Sequence, residues 1–226
     1  MNHFLSVPLV ALTLAAGAPL EVAAQSPPMQ KGISVQLVPT SSAVSFLGAD
    51  DEDALIVSVT SNGLAYLGIN PIAPPDLSDE VRRRLVKPQN LYIKADARTL
   101  YAAIVPVLAA ARSGGAETPI LLTAQLEPPG AGPLVHPRGL EVQVGSAPYA
   151  GSPSTVIHLL TSAVYVNNEQ IPWTSYQPAL KQLLKNRKDN AVYLEIDAQL
   201  KFSQVAHTID ACRSTGATVV LVTPGQ

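Results

Sequence analysis

Two aspartates, Asp96 and Asp197, are the residues of this sequence whose positions best suit chemistry. Each follows a short apolar run and precedes a stretch with helical periodicity, so each lies where a strand ends and a helix begins. If the two carboxylates faced each other across a cleft, they could act as a general acid and a general base. The commoner use of such an aspartate is to cap the helix or to bind loop amides. We favour that structural use at both positions.

No other reactive side chains form a catalytic or metal-binding pattern. The four histidines are scattered, and the sequence contains no nucleophile elbow, phosphate loop, dinucleotide fingerprint or zinc-binding helix. Four consecutive acids at residues 50–53 could hold a hard cation, but their spacing is not that of a calcium loop, and we interpret them as solvated. The sequence therefore predicts a protein that is not an enzyme, with no catalytic residue, no cofactor and no metal.

Composition and charge bound the class of protein further. A net charge of −2 lacks the basic surface that binding to nucleic acid needs. The single cysteine, Cys212, excludes an intramolecular disulfide, and its place on an apolar helical stripe predicts a buried thiol. At 226 residues, of which 47% are hydrophobic, the chain suits one large or two small globular domains.

The first 24 residues have the composition of an export segment. Residues 4–20 carry no charge, yet at about 1.5 Å per residue they reach only ~25 Å of a ~30 Å hydrocarbon core. Small residues at positions 22–24 offer a cleavage site after Ala24. We expect a cleaved signal peptide or, alternatively, a retained inner-membrane anchor, and either would place the rest of the chain in the periplasm. The absence of Lys and Arg before the apolar run leaves a cytoplasmic start as a third interpretation.

The elements that position the two aspartates occur twice, 101 residues apart. In the second copy a strand over residues 192–196 leads to Asp197, a helix ended by Gly216, and a strand over residues 218–222. An apolar stripe marks each helix: Tyr101, Ile104, Leu108 and Ala111 in the first copy and Phe202, Val205, Ile209 and Cys212 in the second. Seven of the 22 positions from 95 to 116 match their counterparts. A repeat of this length predicts duplication of a whole small domain, with Tyr101 and Phe202 in its cores.

The upstream part of each copy has matching elements as well. Hairpins are predicted around Asn62-Gly63 and around residues 161–162, with a further turn at residues 167–168. Helices follow over residues 76–85, with Ser78 as the N-cap, and from Thr174 or Ser175 onward, with Leu180, Leu183 and Leu184 buried. Short opening strands are predicted over residues 32–37 and 139–144, and a linker rich in proline and glycine over residues 127–138. The predicted fold class is α+β: two tandem domains, residues 30–126 and 139–226, each a small mixed β-sheet with two helices on one face.

This ordered set of elements resembles the ExbD/TolR family of biopolymer-transport proteins. The glycine-led strand, the Asn-Gly hairpin and the block of strand, Asp, aromatic residue, apolar helix, glycine and strand are similar to the family's periplasmic domain, here counted twice. The resemblance implies an envelope protein with partners in an ExbB/TolQ-like membrane complex or a TonB/TolA-like protein, and with peptidoglycan as a further partner. The candidate partner-binding or structural positions are Asp96, Tyr101, Asp197 and Phe202.

Two departures from the family shape the functional hypotheses. The family's membrane helix carries an aspartate that takes the proton, whereas residues 4–20 contain no ionisable group to relay one. The domain is also doubled, and we hypothesise that the two repeats reproduce the family's two-chain dimer inside one chain, about an approximate two-fold axis. We expect a non-enzymatic interaction module of a transport system linked to the proton-motive force. A stand-alone periplasmic module that binds peptidoglycan or a small ligand is the alternative.

Overall fold

The structure, a computed structural model, describes residues 31–85, 90–125, 137–149, 152, 154–185 and 191–223. These residues form four α-helices and two mixed β-sheets. The first elements are β1 (Pro39–Thr40), β2 (Val44–Ser45), a 3₁₀ turn (Leu47–Asp50), β3 (Leu55–Val59), β4 (Ala65–Leu67), β5 (Asn70–Pro71), α1 (Pro74–Arg84), β6 (Leu91–Ala95), α2 (Tyr101–Ser113) and β7 (Ile120–Gln125). They continue with β8 (Arg138–Glu141), β9 (Gln143–Gly145), β10 (Thr155–Leu159), β11 (Val164–Val166), β12 (Glu169–Ile171), α3 (Tyr176–Lys185), β13 (Ala191–Ile196), α4 (Phe202–Arg213) and β14 (Thr218–Val222).

Five strands of each sheet follow the same spatial order. The first sheet contains β5-β4-β3-β6-β7, in which β3 pairs antiparallel with β4 and parallel with β6. The second sheet contains β12-β11-β10-β13-β14, in which β10 pairs antiparallel with β11 and parallel with β13. Parallel neighbours need a crossover connection, and α1 and α2 in the first sheet and α3 and α4 in the second supply it.

Turn residues with a positive φ set the ends of these elements where the sequence predicts them. Gly63 has a φ of +83° in the β3–β4 hairpin, and Asn167 and Asn168 have φ values of 48° and 73° between β11 and β12. Gly115 and Gly216 follow α2 and α4 with φ values of +98° and +84°. The predicted hairpins and helix ends are therefore confirmed.

One hydrophobic core runs through both sheets and all four helices. Alternate strand residues face the helices, as period-two patterning requires. These buried residues include Leu55, Val57, Ile93 and Leu121 of the first sheet, Ile157, Leu194 and Leu221 of the second, and Ile104, Leu108, Val205 and Ile209 of the helices. A smaller cluster covers the opposite face of the first sheet, where Ile56, Tyr92, Ile120 and Leu122 pack against Ala49.

Residues 138–145 belong to both sheets. The first part, β8, pairs antiparallel with β7, and the second part, β9, pairs parallel with β14. Between them the amide N–H of Val142 donates to the carbonyl of Pro119 at 3.2 Å. Gly139 is required in β8 because a Cβ there would lie 2.6 Å from the Ile120 side chain and 2.8 Å from the Leu121 carbonyl oxygen. This segment therefore ties the two sheets together along their backbones.

Three predictions of local structure are wrong. Residues 32–37 form no strand, and β1 begins only at Pro39. The Gln36 backbone instead binds the Asp96 side chain and the Ala97 amide in the loop after β6. Helix α1 begins at Pro74 with Ala73 as its N-cap, because proline suits the first helical turn, and Ser78 lies buried within the helix. Leu183 of α3 is 38% exposed, whereas Leu180 and Leu184 are buried.

The predicted export segment and its cleavage site lie outside the described residues, as do residues 127–136 of the predicted linker. Within the described ranges, no helix has the length and apolar character needed to cross a membrane.

Candidate functional site

Asp96 is a buried carboxylate that organises the loop between β6 and α2. It is 3% exposed and accepts hydrogen bonds from the Arg98 amide at 3.0 Å and the Gln36 amide at 3.1 Å. The Arg98 guanidinium adds two further bonds at 2.8 and 2.9 Å. Hydrogen bonding to Arg98, and then to the two amides, outweighs the effect of burial and holds the pKa of Asp96 well below its usual range.

Asp197 has the corresponding place in the second sheet with fewer partners. The Asp96 amide donates to the Val59 carbonyl at the end of β3, and the Asp197 amide donates to the Leu159 carbonyl at the end of β10. Each aspartate therefore follows its strand in the same way. One oxygen of Asp197 accepts the Gln199 amide at 2.9 Å. Gln199 stands where the first sheet has Arg98, and among the described residues no cation pairs with Asp197. The two aspartates therefore share a position but differ in charge compensation.

The starts of α2 and α4 meet through reciprocal backbone hydrogen bonds. The Tyr101 amide donates to the Leu200 carbonyl at 2.8 Å, and the Phe202 amide donates to the Thr99 carbonyl at 2.8 Å. A second pair joins Ala102 to Ala198 at 2.9 Å and Ser203 to Ala97 at 3.1 Å, around an antiparallel bridge between Leu100 and Lys201. Each bond has a counterpart 101 residues away in sequence, which is the pattern that a two-fold axis generates.

These bonds also give hydrogen-bond acceptors to the first backbone amides of α2 and α4. The first amides of an α-helix have no acceptor within the helix, and neither α2 nor α4 has a side chain of its N-cap residue bound to them. Carbonyl groups of the opposite loop replace the missing cap at both helices. The junction therefore stabilises the starts of α2 and α4 as well as holding them together.

Tyr101 and Phe202, the other two candidate positions, lie in the core at 1% exposure each. The Tyr101 hydroxyl is fully buried, and no described atom forms a hydrogen bond with it. Burial raises its pKa, so the group stays protonated. Neither ring is a surface contact, and the two side chains differ only in that one carries an orphaned hydroxyl.

Residues 36–40, termed the strap, cross the carboxyl ends of β6 and β7. Gln36 donates its amide to Asp96 and accepts the Ala97 amide at 2.8 Å. The Ala124 amide donates to the Val38 carbonyl at 3.0 Å, and the Thr40 hydroxyl donates to the Thr123 hydroxyl at 2.8 Å. The strap therefore covers the carboxyl ends of β6 and β7 with its backbone.

The chain after the strap binds α4, a contact that the sequence does not reveal. The Ser41 amide lies 3.0 Å from one oxygen of Asp210, and the Ser42 amide lies 2.7 Å from the other. Burial opposes ionisation of Asp210, but the serine hydrogen bonds together lower its pKa. Since 168 and 169 residues separate these partners, no periodicity or motif could have pointed to them.

A groove lies on the second sheet where the strap lies on the first. It has a volume of about 690 Å³ and is bounded by the start of α2, the loop after β9, and the carboxyl ends of β13 and β14. Its lining includes Tyr101, Val105, Glu195, Ala198 and Thr223.

Cys212 and the four acids at positions 50–53 are the remaining candidate groups. Cys212 is fully buried, as predicted, and burial raises the pKa of its thiol to about 12. The acids at positions 50–53 are exposed, and no three His, Cys, Asp or Glu side chains of the described residues converge as metal ligands would.

The described part of the chain is a mixed α+β fold of four helices and two mixed sheets, in which the starts of α2 and α4 meet. Residues 120–225 match the family model described as biopolymer transport protein ExbD/TolR, so an ExbD/TolR family domain occupies this part of the chain. The match begins at β7 and includes β8 to β14. No curated protein matches the chain. The family is associated with transport and with the cell envelope, and its members work with membrane complexes and with partners of the TonB/TolA type.

Proposed function

We propose that this chain is a non-enzymatic protein of the cell envelope that acts by protein contact in an ExbD/TolR-type transport system. The family domain at residues 120–225 supports the transport system. The engagement of Asp96 in structural bonds, and the burial of Tyr101, Phe202 and Cys212, support contact rather than catalysis. The chain is exported by residues 1–24, which serve as a signal peptide or as an anchor.

The observation that carries the proposal is the reciprocal junction between α2 and α4. Four backbone bonds related by a shift of 101 residues are what two copies of one module would form about a two-fold axis. The equal strand order of the two sheets supports the same interpretation. On this proposal, residues 30–126 and 139–226 are two copies of the module, and their pairing stands in for the dimer that separate chains form in the family.

We propose that the chain is not the proton-coupled subunit of this system. Residues 4–20 contain no ionisable side chain, so the chain serves beside the proton-conducting subunit as an accessory part. Its partners are an ExbB/TolQ-like membrane complex or a TonB/TolA-like protein.

Affinity purification of the tagged full-length chain from membranes of its native host, with a mock-tagged strain as control, tests the proposal. Recovery of a multi-helix membrane protein as the main partner supports an accessory subunit. Retention on peptidoglycan sacculi, without any membrane partner, favours the stand-alone binding module instead and refutes the accessory role.

A further inference from the structure

The turn between β3 and β4 contains the only asparagine of the sequence that is followed by glycine, Asn62. Asn62 is exposed, and Gly63 has a φ of +83°, in the region that glycine favours. Two backbone bonds close the turn. The Gly63 amide donates to the Thr60 carbonyl at 2.8 Å, and the Thr60 amide donates to the Leu64 carbonyl at 3.0 Å. The Asn-Gly pair therefore lies at the surface, where water reaches it.

An asparagine followed by glycine is open to attack by its own backbone. The nucleophile is the backbone nitrogen of the next residue, and the electrophile is Cγ of the asparagine. A side chain on the next residue crowds this attack, whereas glycine has no Cβ. Other described asparagines lack this advantage: Asn70 precedes Pro71, whose nitrogen carries no hydrogen, and Asn168 precedes Glu169. Asn62 is therefore the most reactive of the described asparagines.

The Thr60 hydroxyl makes Cγ of Asn62 more electrophilic. It donates to Oδ1 of Asn62 at 2.5 Å and lies farther, at 3.1 Å, from the Leu64 carbonyl oxygen. A donor bound to a carbonyl oxygen stabilises the negative charge that develops on that oxygen when a nucleophile attacks the carbon. The fold of the hairpin therefore adds an activating group to a sequence that is already reactive.

We propose that Asn62 is a site of spontaneous deamidation, in which the Thr60 hydroxyl assists attack by the Gly63 nitrogen. Base removes the Gly63 amide proton, and the nitrogen forms a bond to Cγ of Asn62. The carbon–nitrogen bond of the side-chain amide breaks, and the nitrogen leaves as ammonia with a proton from solvent. Water then opens the cyclic imide at either carbonyl carbon, which gives aspartate or isoaspartate. The net reaction consumes water and releases ammonia.

The two products have different effects because the hairpin contacts α2 close to the junction. A Cβ at Gly63 would lie 3.1 Å from the Cβ of Ala103, which is in the first turn of α2. Aspartate at position 62 puts a negative charge near the N-terminal end of α2, where a helix favours anions. Isoaspartate lengthens the backbone by one carbon atom, which disturbs both bonds that close the turn. Isoaspartate is therefore the product that loosens the hairpin.

Peptide mapping by mass spectrometry, after incubation of the purified full-length protein in mildly alkaline buffer, tests the site. We expect Asn62 to be converted about tenfold or more faster than Asn168, an exposed turn residue without a following glycine. Thr60→Val should slow the conversion of Asn62 about fivefold, the effect of one ordinary hydrogen bond. Thr60→Ser keeps the hydroxyl and should restore the rate, and Ser61→Ala, an exposed neighbour, should leave it unchanged.

The same comparison in urea separates the effect of the fold from that of the sequence. The bond from Thr60 to Asn62 is lost on unfolding, so Thr60→Val and the unaltered chain should react equally fast there. Equal rates at Asn62 and Asn168 in the folded protein would overturn the site. A folded Thr60→Val variant, checked by far-UV circular dichroism, that reacts as fast as the unaltered chain would overturn the role of Thr60, as would a slowing that persists in urea.

Discussion

Asparagine at position 96 should destabilise this protein far more than asparagine at position 197. The two aspartates follow corresponding strands, so each serves as the matched control for the other. Asp96 is 3% exposed and binds two backbone amides, whereas Asp197 is partly exposed and binds one. The substitution itself is nearly isosteric in both cases, so the difference reports the environment of each carboxylate.

The size of the difference follows from the hydrogen bonds. In Asp96→Asn the remaining oxygen keeps the Arg98 amide, but the new NH₂ group faces the Gln36 amide, so one buried bond to a charged group is lost and a donor faces a donor. Such a bond contributes about 1.5–3 kcal/mol, and the unpaired donor adds to the loss, for a total of about 2–4 kcal/mol. The exposed Arg98 side chain is screened by water and changes this little. Asp197→Asn keeps its single bond, so we expect a loss below about 1 kcal/mol.

Urea unfolding followed by far-UV circular dichroism and by the fluorescence of Trp173 measures both variants. Trp173 is the only tryptophan, and it lies in the second sheet's half of the chain, with its indole N–H 3.0 Å from the Leu160 carbonyl. Because one core includes both sheets, Asp96→Asn should shift the Trp173 transition together with the circular dichroism. Equal losses from the two variants would refute our account of the carboxylates. A Trp173 transition that does not respond to Asp96→Asn would refute the shared core.

The lowered pKa of Asp96 also makes the unfolding free energy depend on pH. The pKa of Asp96 is lower in the folded than in the unfolded state, so its contribution is complete above the ordinary aspartate pKa of about 3.9. The contribution is lost as the pH falls from there through the lowered pKa of the folded state. The unfolding free energy of Asp96→Asn should therefore fall less steeply with acid below about pH 4 than that of the unaltered chain. Parallel pH profiles would contradict the assignment.

Three further predictions concern single side chains. Tyr101→Phe removes an orphaned hydroxyl and should raise the unfolding free energy by about 1 kcal/mol in the same urea assay, whereas Tyr176→Phe, which loses the bond from Thr208 at 3.2 Å, should lower it. Asp210→Ala should speed hydrogen exchange at the Ser41 and Ser42 amides about tenfold or more, because it frees them from α4; unchanged exchange would exclude that contact. Cys212 should react with a thiol reagent only after unfolding, and rapid labelling of the folded chain would show that α4 is not packed as described.

The sequence predicts the elements whose signals are local. Apolar runs mark β6, β13 and β14, stripes mark α2 and α4, and Asn-Gly or glycine turns mark the hairpin and helix ends. The positions of Asp96 and Asp197 at strand ends follow from the same patterns. The start of α1 was misplaced because Ser78 is a good N-cap residue in isolation, while Pro74 and Pro75 are the residues that begin the helix.

What the sequence does not predict depends on contacts between distant segments. Residues 32–37 have the alternation of a strand, yet in the structure the Gln36 amide binds the Asp96 carboxylate and the Gln36 carbonyl accepts the Ala97 amide. The reciprocal junction and the Asp210 contact join positions about 100 or more residues apart. The division of residues 138–145 pairs β8 with the preceding strand β7 but β9 with the last strand, β14. No local period encodes such pairings.

The molar mass of the purified chain in solution tests most directly the claim that its two halves pair with each other. Multi-angle light scattering at micromolar concentration should give a monomer, 23.7 kDa for the full sequence, because the starts of α2 and α4 are already paired with each other inside the chain. A stable particle of twice that mass, formed through the starts of α2 and α4, would contradict the internal pair.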